Sequence, residues 1–317
     1  MKSFSLILCL YLSVSVLSVQ AQESSVSAPF SFNDSSSAET KQLRKKAEEG
    51  DADAQYRFGT LYFTGKGVEQ DYRIMREWLK KSAEQGHAEA QRDLGLSYYS
   101  GTGGEKDYEK SLEWVEKAAK QGDVLAYYSL GEIYERGKGV KRDYVKAFEW
   151  YKKAAEQEHT RSQYYVANFY RNGKGTEPDL GKAREWLEKA AAQGYLEAQR
   201  DLGIFYAQGW GVEQDYVKAF RWYEFAAERG DASAQRFLGL SYYQGKGVKQ
   251  NYAKAFEWLK KQLNGGIQAL RMILACYMPM DKLLSRIGIK RLNGSKNRQS
   301  EVIVGGNVSL RSFIHMV

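Results

Sequence analysis

The sequence predicts an all-α solenoid of 36-residue helix-turn-helix units, and three observations carry that prediction. Trp78, Trp114, Trp150, Trp186, Trp222 and Trp258 stand 36 residues apart. Gly65, Gly101, Gly137, Gly173, Gly209 and Gly245 keep the same interval. Each interval also holds two stretches with apolar residues at helical spacing. A fixed period of this size marks an architecture whose units bury their apolar faces only against their neighbours.

The first helix of each unit starts just after a Gly, with Asp51, Asp123 or Asp231 placed to cap it. Ala54, Phe58, Gly59 and Tyr62 in the first copy fall on one helical stripe, as do Ala198, Leu202, Gly203 and Tyr206 in the fifth. A Gly inside a helix costs roughly 1 kcal/mol against Ala. Its recurrence points to a close helix contact where no Cβ fits. The loop G-K-G-V ends this helix, Gly supplying the positive φ that the turn needs. Asp71, Asp107, Asp143, Asp179 and Asp215 are placed to cap the second helix. Tyr72, Met75, Trp78, Leu79, Ser82 and Ala83 form its buried stripe, and Lys and Glu fill its outward positions.

The chain resembles the Sel1-like repeat family, a relative of the tetratricopeptide repeats. The residues that carry the resemblance are A-Q-x-x-L-G-x-x-Y (Ala90, Gln91, Leu94, Gly95, Tyr98), G-x-G-V, and D-Y-x-K-A-x-x-W-x-x-K-A-A from Asp143 to Ala155. Six copies agree in register between Gly50 and Lys261. The resemblance implies a right-handed α/α superhelix that serves as an adaptor, with first helices lining its concave face.

Residues 1–21 read as a secretory signal: Lys2, an apolar run from Phe4 to Val19, and the small-residue site Val19-Gln20-Ala21. Residues 22–37 are Ser-rich and aperiodic, a flexible leader. The solenoid is expected over residues 38–261, as a capping half-unit followed by six copies. Copy four departs most, with Glu158 for the opening Gly, Ala167 for the helix Gly, and Glu177-Pro178 before its second helix.

Residues 262–317 break the pattern, and Trp is missing where it is due at 294. Reading each codon of this tail one base earlier restores much of it. Met278 followed by Pro279 then gives Ala at 279, and Met280 followed by Asp281 gives the Gly due at 281. Position 278 becomes Tyr or His where Tyr is due, and position 294 becomes Trp or Arg where Trp is due. The tail therefore reads as out of frame after a lost base.

The formal charge of +8 invites a nucleic-acid reading. Residues 22–261 carry 38 Lys and Arg against 37 Asp and Glu, so the basicity sits in the tail. No basic stripe for a phosphate backbone is evident. That body has no cysteine, which excludes disulfides within it. The G-K-G loops lack the G-x-x-x-x-G-K-[ST] pattern of a phosphate-binding loop. His87 and His159 occupy equivalent positions two units apart, about 20 Å by helix packing distances, too far to share a metal. They read as surface His near helix starts. No cofactor, metal, nucleic acid or transmembrane span after signal cleavage is expected, and no catalytic constellation stands out.

Binding candidates are the first-helix positions that the repeat leaves free. One row is Tyr56, Arg92, Tyr128, Tyr164, Arg200 and Arg236; its neighbour is Thr60, Leu96, Glu132, Asn168, Ile204 and Leu240. Tyr and Arg are enriched at contact hot spots. The competing reading is that these rows pack unit against unit. Trp210 replaces Lys in the loop of copy five, as a partner contact or as local packing. The function expected is an exported, non-enzymatic adaptor for protein or peptide, in a bacterial periplasm or secreted. The alternatives are a carbohydrate-contacting scaffold and a hydrolase. Nucleotide sequencing across codons 255 to 300 is expected to show a missing base just after codon 261. An intact frame would make the tail a genuine basic segment and reopen the membrane and nucleic-acid readings.

Overall fold

The computed structural model describes residues 38–262, with 303–304 and 308–309. The expected signal, the leader and the tail apart from these residues lie outside them. The chain divides into two compact units between Asp179 and Leu180. The first contains α1 (Ala38–Glu48), α2 (Ala52–Thr64), α3 (Tyr72–Glu84), α4 (Ala88–Ser100), α5 (Tyr108–Lys120), α6 (Val124–Arg136), α7 (Tyr144–Glu156) and α8 (Thr160–Asn172). The second contains α9 (Leu180–Ala192), α10 (Leu196–Gln208), α11 (Tyr216–Glu228), α12 (Ala232–Gln244) and α13 (Tyr252–Gln262). It also contains the antiparallel pair β1 (Ile303–Val304) and β2 (Val308–Ser309). Within each unit, successive helices pack as sequential pairs. Among the described residues no helix is long and apolar enough to cross a membrane.

The caps explain where the helices start. Asp51, Asp123 and Asp231 accept hydrogen bonds from the backbone N–H of Ala54, Ala126 and Ala234 at 2.6–2.7 Å. The second helices open on Asp71, Asp107, Asp143 and Asp215, whose carboxylates accept backbone N–H bonds in the same way. Each hairpin loop closes through a bond from the capping residue back to the first helix, as from Asp107 N to Tyr98 O at 3.0 Å. Copy four starts on Glu158 at φ 63°, a left-handed conformation that costs a side chain roughly 1 kcal/mol.

The helix Gly has the role its recurrence implies. A Cβ on Gly131 would stand 2.5 Å from the ring of Tyr151, which lies flat on the α6 backbone. Between successive repeats, Gln55, Gln91, Gln163, Gln199 and Gln235 donate to the carbonyls of Ala47, Ala83, Ala155, Ala191 and Ala227 at 3.1–3.3 Å. The Ala-Gln pair of the motif is thus a strap to the preceding second helix. Helix α1 receives it through the buried Ala47.

The second loop Gly sets the register. Gly139 at φ +75° lies on the first turn of α5, where a Cβ would overlap Tyr108. Gly122, also at positive φ, has open space around it. Gly139→Ala is expected to cost roughly 3 kcal/mol, from strain plus overlap, and Gly122→Ala roughly 1 kcal/mol from strain alone. Urea unfolding of the two variants checks the contrast; equal losses would contradict the register role.

Candidate functional site

The first candidate row meets the cap residue of the next first helix. The Tyr56 ring stacks on the imidazole of His87 at 4.9 Å, and its hydroxyl donates to Asp93 Oδ2 at 3.1 Å. Arg92 is 4% exposed. Its Nε donates to Asp93 Oδ1 and its Nη1 to Asp123 Oδ2, both at 2.8 Å. Burial works against the guanidinium charge, and the two carboxylates overcome it. The Tyr128 ring, 2% exposed, packs 5.1 Å from the ring of His159. Arg200 repeats the Arg92 arrangement with Asp201 at 2.8 Å and Asp231 at 3.3 Å. Tyr164 is half-buried, and Arg236 is exposed with its guanidinium 5.0 Å from the Phe237 ring.

His87 and His159 are therefore helix caps. Nδ1 of each accepts a backbone N–H at 3.3 Å, from Ala90 and Ser162. Their side chains are not on the open surface, as the spacing alone had implied; they are partly buried against the tyrosines.

The second row is mixed. Leu96 and Glu132 are buried. Thr60, Asn168, Ile204 and Leu240 are partly exposed. Asn168 Nδ2 donates to its own helix at Tyr164 O, 3.1 Å away. Burial raises the pKa of Glu132, opposed by Arg136 at 3.1 Å. Around it, Tyr151 stacks on Tyr165 at 4.8 Å and donates to Glu135 at 2.8 Å. These are satisfied hydrogen bonds and ion pairs; Ser162 Oγ lies 2.8 Å from Nδ1 of His159, but Ser162 is fully buried at the helix start, where the pair serves the cap. Among the described residues, no three His, Cys, Asp or Glu side chains converge to hold a metal ion.

Trp210 is 37% exposed, its ring edge-on to Phe205 at 5.5 Å. Its substitution has a counterpart. Lys138, Lys174 and Lys246 lie over the rings of Tyr108, Tyr144 and Tyr216, the first residues of the preceding second helices. In copy five Trp210 stands in place of that Lys, and Leu180 in place of that Tyr.

The second helices carry a feature that treating Lys and Glu as merely solvated overlooks. Five copies read E-W-x-x-K: Glu77-Trp78-Lys81, Glu113-Trp114-Lys117, Glu149-Trp150-Lys153, Glu185-Trp186-Lys189 and Glu257-Trp258-Lys261. In every one the ammonium sits 3.9–4.1 Å from the indole centroid, a cation–π lid. Copy five reads Arg221-Trp222-Phe225. Trp222 and Phe225 are 6.0 Å apart, and Phe225 is 57% exposed.

The family model described as the Sel1 repeat matches residues 52–87, 88–123, 124–159, 160–195, 196–231 and 232–261. Among solved structures, the chain is similar to a protective antigen of uropathogenic Escherichia coli strains that displays an SLR fold. The two are 33% identical with a TM-score of 0.72, over 78% of this chain and 55% of that one. The present chain thus spans about half the length of the antigen. It is also similar to a Sel1 repeat protein from Oxalobacter formigenes, 32% identical with a TM-score of 0.60, over 71% of this chain and 94% of that one. No curated protein matches.

The His159 cap gives the first unit an acid sensitivity. Burial, aided by Arg161, lowers its pKa from 6.5 to about 4. The unfolded chain then binds the proton more readily. The stabilisation is fully present above about pH 6.5 and is lost as the pH falls toward about 4, up to roughly 3 kcal/mol. His159→Asn keeps a cap acceptor without a titrating group. It is expected to flatten the fall in urea midpoint between about pH 7 and about pH 5; an unchanged slope would place the sensitivity elsewhere.

Proposed function

The chain belongs to the Sel1 repeat family, and from that premise we propose that it is an exported, non-enzymatic scaffold that binds a protein or peptide along its first helices. One observation carries the reading. The buried stripe and loop glycines recur from copy to copy, whereas the partly exposed first-helix positions vary within each unit, Thr60 and Asn168 in the first, Ile204 and Leu240, beside the exposed Arg236, in the second. A row that changes identity while its frame stays constant is suited to reading an extended partner one side chain at a time. Arg92, Tyr128 and Glu132 are buried in the junctions between repeats and so take no part in this face.

Export rests on the signal-like residues 1–21. Similarity to a bacterial protective antigen favours an envelope or secreted location. Non-enzymatic action fits the family and the satisfied pairing of the polar groups described above.

Arg236 and Leu240 offer the cleanest test, because among the described residues neither holds two repeats together through a clasp of the Arg92 type. Cross-linking in the native envelope, followed by pulldown, is expected to recover one recurrent protein with the wild-type chain. Arg236→Glu with Leu240→Glu is expected to weaken that recovery about tenfold, with little change in Tm. Retention on glycan beads without a protein partner would instead support a carbohydrate-contacting scaffold. Fractionation is expected to find a mature chain starting near Gln22 outside the cytoplasm.

A further inference from the structure

We infer that the end of the array at Arg236 is the docking surface for one further repeat of this chain, whose first helix opens on aspartate and which codons 262–299 encode when read one base earlier. Four junctions show how a repeat receives the next. Arg92 meets the cap Asp123 and Arg200 the cap Asp231, each 31 residues ahead. Tyr56 meets the cap His87 and Tyr128 the cap His159 at the same interval. At all four, arginine takes aspartate and tyrosine takes histidine.

The clasp of copy six is open. Arg236 holds the place of Arg92 and Arg200, yet it is exposed and makes no ion pair among the described residues. It is the only charged residue of α12, so the first-helix side of this end carries a single positive charge. Phe237 stands where Asp93 and Asp201 assist the closed arginine clasps, and its ring lies 5.0 Å from the Arg236 guanidinium. A cap carboxylate would therefore be the sole acid partner of Arg236. A second contact continues in the same register. Phe148 packs edge-on to Tyr170 at 5.1 Å and Phe220 to Tyr242 at 5.2 Å, each joining a second helix to a first helix. Phe256 holds their place in the sequence of α13, and the Tyr it calls for is due at 278.

The shifted reading supplies the occupant. The next cap falls at position 267, 36 residues after Asp231. Read one base earlier, that position takes the last base of the Gly266 codon and the first two of the Ile267 codon, AT. The four outcomes are Asn, His, Asp and Tyr. Three of them open other repeats, as Asp51, His87 and Tyr195 do. The clasp selects among the four: Arg236 calls for Asp, which requires the Gly266 codon to be GGG. As written, the position holds Ile267, which has no carboxylate. The inference rests on the frame of the tail and not on the partner proposal, whose Arg236 and Leu240 substitutions are made in the chain as it stands.

The test has two parts. Sequencing is expected to show the base missing after codon 261 and GGG at Gly266. An intact frame, or any other glycine codon at 266, overturns the inference. Thermal unfolding then compares the full chain as written with the same chain carrying one base returned after codon 261. Arg236→Ala is expected to lower the Tm of the restored chain by about 3 °C, and that of the written chain by less than about 1 °C. Arg236→Tyr is expected to cost the restored chain a similar amount. Histidine placed at position 267 beside that tyrosine is expected to recover most of the loss, because the pair is the one used at two other junctions. A loss of packing at Arg236 alone would not respond to a change at position 267. Equal effects of Arg236→Ala in the two chains, or no recovery by the tyrosine and histidine pair, overturns the inference. The codon result stands whether or not the restored chain can be purified.

Discussion

Everything periodic in this chain depends on a contact that a side chain would prevent. The second glycine of each loop rests on the first turn of the preceding second helix, as Gly139 does on Tyr108 and Gly247 on Tyr216. Because backbone meets backbone there, the offset between neighbouring hairpins has little freedom. The Gln-to-Ala-carbonyl straps then fall at the same geometry in five places. Without that fixed offset, the strap and the next cap would not arrive together.

The clasps between repeats draw on different chemistry for the same task. Tyr meets His at two junctions, and Arg meets Asp at two others. The aromatic junctions rely on area and ring packing, worth about 1 kcal/mol beyond burial. The ionic junctions are more conditional. Arg92 is buried, and removing Asp123 would leave its guanidinium with Asp93 as its one carboxylate, a loss of about 1–3 kcal/mol. Such junctions contribute little over an apolar pair when intact, yet they strongly penalise a wrong neighbour.

The period made the frame legible in the sequence. Helix limits, Asp caps, the helix Gly and the loop turns all follow from residues close together in the chain, where local rules apply. The candidate rows were harder. Arg92 is joined to a cap 31 residues ahead, as Arg200 is, and no helical periodicity encodes that distance. Tyr56, Arg92, Tyr128 and Arg200 thus read as free positions although each is engaged with the next repeat. The histidines were misjudged for the same reason: as caps they belong to the junction. The lapse of E-W-x-x-K in copy five was present in the letters, but Glu and Lys on an outward face carry no signal until their contact with Trp is known.

The junction pairs also bear on how such a chain can lengthen. At four junctions a copy presents its clasp residue forward to the cap of the next, Tyr56 to His87, Arg92 to Asp123, Tyr128 to His159 and Arg200 to Asp231. Copy two opens on His87 and offers Arg92, so a tandem duplicate of it would set an arginine against a histidine. Copy three, with Asp123 and Tyr128, fails likewise, whereas copy four pairs His159 with Tyr164 and copy six pairs Asp231 with Arg236. A unit whose two ends match keeps its junction type when copied singly, whereas copies two and three keep theirs only when copied together. The array therefore behaves as a directional string with rules of adjacency, and its internal order carries information that its period does not.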